Sequence, residues 1–200
     1  MPALLARLRT PEAFFRLTLV ALALLWVIVP SGAVVRLTAS GLGCPDWPLC
    51  DGGVVPEAAG HAAIEYANRL LSGVVGAVAI ATWLVGRGVP GAGPAVRRSG
   101  AVIALATVIQ MPLGAVTVLS GLHPMAVGSH FLVSMVALAA GTVLAIAARD
   151  HRDGRARDWR PRRGVMAVLV ALAGGAVLAT GAVVTAAGPH SGGDDVTERF

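Results

Sequence analysis

The chain reads as an all-α polytopic membrane helical bundle, and three observations carry that reading. Its mean hydropathy is +0.74, with 56% hydrophobic and 14% charged residues, against roughly 45–50% and about 25% in soluble domains. Five long apolar runs follow one another along the sequence, each close to the roughly 20 residues that a spanning helix needs. All sixteen basic residues are arginine, and they gather on alternate connectors, as the positive-inside rule describes. A net charge of +5 could suggest nucleic acid, but only 4% of residues are aromatic and they are not interleaved with the arginines. Nucleic acid is therefore excluded as a partner, and the lipid bilayer is the expected surroundings.

Taken in order, residues 1–14 form a short N-terminal segment and the first span covers about 15–35. A signal peptide is the alternative here, because arginines precede the run and Ser31-Gly32-Ala33 resembles a cleavage site. Signal peptides have apolar cores of about 7–15 residues, whereas the stretch from Leu17 to Val35 is uncharged throughout. An outer loop, 36–61, leads to a second span at 62–86. A third follows at 100–121, where Pro112 reads as a kink, and a fourth at 125–148. An Arg-rich loop, 149–163, precedes a fifth helix at 164–187 and a tail at 188–200. Thirteen arginines, at 7, 9, 16, 87, 97, 98 and seven positions between 149 and 163, fall on one side; Arg36, Arg69 and Arg199 fall on the other. The N-terminus is then cytoplasmic, in a multi-pass protein of the cell membrane.

Cys44 and Cys50, the only cysteines, both lie in the outer loop, in Gly43-Cys44-Pro45-Asp46-Trp47-Pro48-Leu49-Cys50. On an oxidising side, two thiols six positions apart read as a short disulfide loop. Two separate thiols are the alternative, and a metal site lacks further ligands at suitable spacing.

Ionisable groups within spans are costly and mark candidate sites. Glu65, Asn68 and Arg69 share one face of the second helix by their spacing of three and four. Glu65 and Arg69 form either a pair that lowers the cost of burial, or a proton-handling carboxylate beside an arginine that holds an anionic group such as a propionate. In the fourth span, His130 lies one to two turns into an apolar helix, where a neutral imidazole is a natural axial ligand of heme iron. Satisfaction by a helix carbonyl or by Ser129 is the other reading. His123 sits at the membrane edge before Pro124. His61 and Asn68 are seven apart, as are His123 and His130, so the two helices offer an inner level, Asn68 with His130, and an outer one, His61 with His123. Thr107, Gln110 and Thr117 read as interhelical hydrogen-bond donors.

Ser31-Gly32-Ala33-Val34-Val35 ending the first span is echoed by Thr180-Gly181-Ala182-Val183-Val184 ending the fifth. A four-helix unit repeated in tandem accounts for this, with the fifth helix opening a second copy.

The run Gly32-Ala33-Val34-Val35-Arg36-Leu37-Thr38 leading into the cysteine loop, followed by Glu65 to Arg69 and by His130-Phe131, resembles the heme A synthase family. The resemblance implies an eight-helix membrane oxidoreductase made of two four-helix halves, of which this chain holds one four-helix unit plus the first helix of a second. It implies oxidation of the C8 methyl of heme O to the formyl of heme A, for terminal oxidase assembly, with heme O synthase as a further partner. By resemblance Glu65 is the acidic residue needed for the oxidation, His130 an axial ligand of the substrate heme, and Cys44 and Cys50 the outer-loop pair. Arg36 or Arg69 would hold propionates, and a heme b cofactor belongs to the second half. The family's second helix reads Glu-x-x-His-Arg, and this chain has Asn68 in place of the histidine. The iron is then five-coordinate at His130, or it uses His61 and His123. Two other classes remain open: a non-enzymatic membrane heme-binding electron carrier or heme chaperone, and a small-solute transporter, against which the parallel repeat argues.

Overall fold

A computed structural model of the protein describes residues 6–56, 60–155 and 164–187, with side chains over 169–184 of the last stretch. Five long helices follow in order: α1 (Pro11–Leu37), α2 (His61–Gly86), α3 (Pro94–Leu119), α4 (Pro124–Arg152) and α5 (Gly164–Ala187). Four of them, α1 to α4, are long and apolar enough to cross a membrane, and the protein is a multi-pass membrane protein. Within α5 the described apolar stretch is shorter, Leu169–Val184. The tail from residue 188 and the Arg-rich loop beyond Arg155 lie outside the described residues.

The helices overrun the apolar stretches at their polar ends, because backbone hydrogen bonding continues where lipid contact stops. Thr10 caps α1: its hydroxyl oxygen accepts from Ala13 N–H at 3.3 Å and its carbonyl from Phe14 N–H at 2.9 Å, an arrangement worth about 1 kcal/mol. Pro11, Pro94 and Pro124 each open a helix, where the missing N–H costs nothing and the fixed φ fits. The C-terminus of α4 closes on Gly154, whose φ of 65° allows Arg155 N–H to reach Asp150 O at 2.8 Å and Gly154 N–H to reach His151 O at 3.3 Å. Pro30 and Pro112 both lie inside α1 and α3 without ending them.

Contacts divide the chain into two compact units, and each of α1 to α4 contributes a part to both. In the first unit (residues 1–29, 71–109 and 134–159), Phe14, Thr18, Ala21 and Leu25 are buried along one face of α1. Opposite them, Gly141 of α4 meets Leu25 so closely that a Cβ there would stand 2.8 Å from Leu25 Cδ1. Gly86 of α2 lies against the Phe14 ring, and Gly100 of α3 against Trp83. Small residues at such crossings are what membrane helices use to associate, since lipid removes the hydrophobic drive between them. The large exposed residues, among them Val20, Trp26, Leu84 and Leu105, are apolar, as a lipid-facing surface requires.

The second unit (residues 30–70, 110–133 and 160–200) holds the cysteine loop with Glu65, Asn68, Arg69, Gln110 and His130 of the spans. Between α3 and α4 the chain turns over Ser120 to His123, with Gly121 and Leu122 at φ of 61° and 62°. His123 O accepts from Ala126 and Val127 N–H at 2.9 and 3.1 Å, so this residue starts α4.

Candidate functional site

The site is built where the cysteine loop folds back on the start of α2. Cys44 and Cys50 form a disulfide and are fully buried with Ala62, against Tyr66. Asp51 and Gly52 take positive φ values of 53° and 75°, and Cys50 and Gly53 exchange backbone hydrogen bonds at 2.8 and 3.1 Å. An Asp-Gly pair is suited to such a tight turn. Gly43 leads in at a position that only glycine fits: a Cβ would stand 2.5 Å from the His61 carbonyl carbon and oxygen and 2.6 Å from Ala62 N.

Asp46 organises the turn from within. Its two carboxylate oxygens accept from Asp51 N–H at 2.7 Å and Gly52 N–H at 2.9 Å. The Gly52 and Asp51 N–H groups, with the Arg69 charge, hold the Asp46 carboxyl below its ordinary value against an opposing effect of burial. A lowered carboxyl stabilises the fold above its unfolded value and ceases to do so as pH falls through its folded one. The turn is therefore expected to stay closed at neutral pH and to open only in acid below the ordinary Asp range. Amide exchange at Gly52 measured against pH checks this, and opening near neutrality would contradict it.

Glu65 is placed beneath this loop. Its side chain is 5% exposed, Oε2 accepts Cys44 N–H at 2.8 Å, and Oε1 accepts Arg69 Nε–H at 3.1 Å and Nη2–H at 2.5 Å. The remaining Arg69 N–H groups go to backbone: Nη1 to Asp46 O at 2.9 Å and Leu49 O at 2.8 Å, and Nη2 to Cys44 O at 2.8 Å. A guanidinium has five N–H donors, and five bonds use them. The pair expected from the spacing is present. A propionate contact from Arg69 would have to displace one of these bonds; Arg36, the other arginine expected for that role, is half-buried at the end of α1.

The remaining site residues are each tied to a different neighbour. Asn68 Oδ1 accepts the Ser31 hydroxyl of α1 at 2.8 Å. His61 Nδ1 lies 2.9 Å from the hydroxyl of buried Ser40. His123 is exposed, with Nδ1 3.3 Å from Met125 N. His130 lies partly buried on α4 with its ring facing Gly114 of α3, where a Cβ would stand 3.8 Å from His130 Cε1. Its carbonyl accepts Gln110 Nε2–H at 2.9 Å. Gln110 thus bridges two helices as expected, whereas Thr107 and Thr117 turn back on their own helix, to Ile103 and Ala104 O and to Leu113 O. A hydroxyl on a short side chain reaches the preceding turn before it reaches a neighbouring helix. Among the described residues no group of three or more His, Cys, Asp or Glu could hold a metal ion. Iron ligation here would rest on single imidazoles.

Ser31, Ser40 and Gly43 were not legible as site residues. Ser31 stands in the repeated five-residue motif, but the motif does not say that the hydroxyl faces Asn68.

The sequence model of the cytochrome oxidase assembly protein family, COX15-CtaA, matches residues 15–64 and 57–190. The chain belongs to this family. Among curated members, the heme A synthase of Alkalihalophilus pseudofirmus is 36% identical over 140 residues, 68% of this chain and 46% of the relative. That of Bacillus licheniformis is 31% identical over 134 residues, 62% and 41%, and that of Bacillus pumilus 30% over 128 residues, 60% and 40%. The chain spans less than half the length of these relatives. No solved structure matches it.

The disulfide is expected to protect both thiols: alkylation of the purified protein should fail until a reductant is added, and labelling without reductant would refute the pairing.

Proposed function

We propose that the chain serves heme A biosynthesis as a heme A synthase-like oxidoreductase, taking the C8 methyl of heme O to the formyl of heme A for terminal oxidase assembly. The observation that carries this reading is the buried Glu65 carboxylate held by Cys44 N–H and Arg69. Oxidising a methyl group releases protons with the electrons, and a carboxylate fixed in a largely water-excluded place is the natural acceptor. Three N–H groups, one of Cys44 and two of Arg69, fix the Glu65 carboxylate, and Arg69 maintains that arrangement by tying the loop carbonyls to α2.

His130 is the imidazole assigned to the substrate's iron, on α4 with its Cε1 close to Gly114 of α3. Bound heme would supply the redox chemistry. Asn68, with its amide oxygen on Ser31, is a poor ligand, so the reading is five-coordinate iron at His130, with Arg36 toward a propionate. His61 and His123 are the outer-level alternative. The arginine distribution supports a cytoplasmic N-terminus and a cysteine loop on the outer face of the cell membrane. Heme O synthase is the expected supplier of substrate, and the heme b cofactor belongs to the family's second half.

A heme-binding carrier or chaperone is the second reading, favoured by Asn68 where the family has a histidine. One experiment separates the two. In a host that makes heme O but no heme A, with the family's second half co-expressed, the wild-type chain should yield extractable heme A. Glu65→Gln should bind heme yet lower that yield by about 10²–10⁴. Undiminished yield rules out the proton role, and heme binding without heme A from wild type supports the carrier.

A further inference from the structure

The Arg-rich end of the first unit carries two groups of charge that are built differently. In one, four arginines share two carboxylates, Glu12 and Asp153. Arg16 Nε meets Glu12 at 2.8 Å, and Arg152 Nε meets Asp153 at 2.8 Å and Glu12 at 3.8 Å. Arg155 and Arg149 close on Asp153 at 3.4 and 3.8 Å. Arg152 also lies over the Phe15 ring, 4.2 Å from its centroid.

The second group surrounds the connector between α2 and α3. Arg87 stacks on Trp83 with its guanidinium carbon 5.1 Å from the ring centroid. The Arg9 guanidinium lies against Gly88, in the space a side chain would take. Exposed Arg97 and Arg98, in the first turns of α3, line a cavity of about 330 Å³ with Ala92 and Pro94. Among the described residues none of these four arginines has a carboxylate within ion-pair distance. Around Arg87, Arg97 and Arg98 the sequence provides none either, since no Asp or Glu occurs between Glu65 and Asp150, and Glu12, three positions from Arg9, is engaged by Arg16 and Arg152. Two cations at a helix start are also opposed by the helix dipole. Four exposed arginines with no carboxylate partner among the described residues, at the ends of spanning helices and beside Trp83, leave guanidinium donors available to an external anion.

We infer that this connector binds the phosphodiester headgroup of an anionic phospholipid, with Arg97 and Arg98 on the phosphate in the cavity and Arg9 and Arg87 flanking it. Guanidinium groups suit phosphate oxygens. The group lies at the end of two helices that cross the membrane, which places it at headgroup depth, and an aromatic ring at that depth is typical of the interface. In the cluster around Asp153, by contrast, each arginine already meets a carboxylate of the chain.

The test uses the whole chain in neutral detergent, freed of lipid, titrated with phosphatidylglycerol or phosphatidylcholine and read by native mass spectrometry. Wild type should retain phosphatidylglycerol in preference. At about 1 kcal/mol per arginine near an anionic surface, or about fivefold each, Arg97→Gln with Arg98→Gln should weaken retention roughly 25-fold. The Arg97→Lys, Arg98→Lys protein should keep most of it, which separates lost charge from lost fold, and Arg149→Gln should change nothing. Equal retention by the double glutamine variant overturns the site, as does an equal loss from Arg149→Gln. Full competition by inorganic phosphate at the same concentration as the lipid would assign the site to free phosphate instead.

Discussion

Arg69→Ala is expected to destabilise the second unit by about 3–5 kcal/mol, the range for removing one partner of a buried ion pair. The loss has two parts. Glu65, 5% exposed at its side chain, loses its cation. The carbonyls of Cys44, Asp46 and Leu49 lose the donors that draw them onto α2. Arg69→Lys is expected to recover little, because an ammonium has three N–H groups and no planar fork with which to meet a carboxylate and three carbonyls together. Glu65→Gln combined with Arg69→Ala should be less destabilised than Arg69→Ala alone, since no buried charge is then stranded. Denaturant unfolding of wild type, Glu65→Gln, Arg69→Ala and the double variant in one detergent gives the cycle. An Arg69→Ala protein that unfolds with wild-type would show that neither the pair nor the loop bonds stabilise the unit.

His130→Ala should abolish or shift the Soret band of purified, heme-loaded protein, and an unchanged spectrum sinks His130 as an axial ligand. The companion variant is Asn68→His. Restoring an imidazole at the family position is expected to supply a second ligand and move the spectrum toward a six-coordinate form, at the cost of the bond from Ser31. If the iron instead uses His61 and His123, both substitutions leave the spectrum alone and His61→Ala changes it. The variants therefore distinguish the two levels of side chains on α2 and α4.

Much of the architecture was legible in the sequence because lipid imposes a simple rule: about 20 apolar residues for each crossing. The first four helices follow that rule and extend past it only at capped, polar ends such as Thr10 and Gly154. The Glu65–Arg69 pair was legible because four residues are close to one helical turn. Arg69 as a propionate holder was also a fair reading of the sequence, since nothing in the spacing of residues 44 to 69 says that its donors are already engaged. The same holds for Thr107 and Thr117, whose hydroxyls bond within their helix, whereas the longer Gln110 reaches α4.

The sequence by itself determined the four crossing helices, the family, the pair of cysteines and the residues that bear charge inside the spans. The helices, the cysteines and the charges follow from composition, period and residue type, and the family from the resemblance of its motifs. Only the tertiary structure decided what those residues touch: Cys44 N–H on Glu65, three loop carbonyls on Arg69, Ser31 on Asn68, Gly114 beneath His130. The physical reason is that most of these partners are backbone groups or bare glycine space. Every residue but proline has the same N–H and every residue the same C=O, so no spacing of letters marks which ones a fold will bring to a side chain.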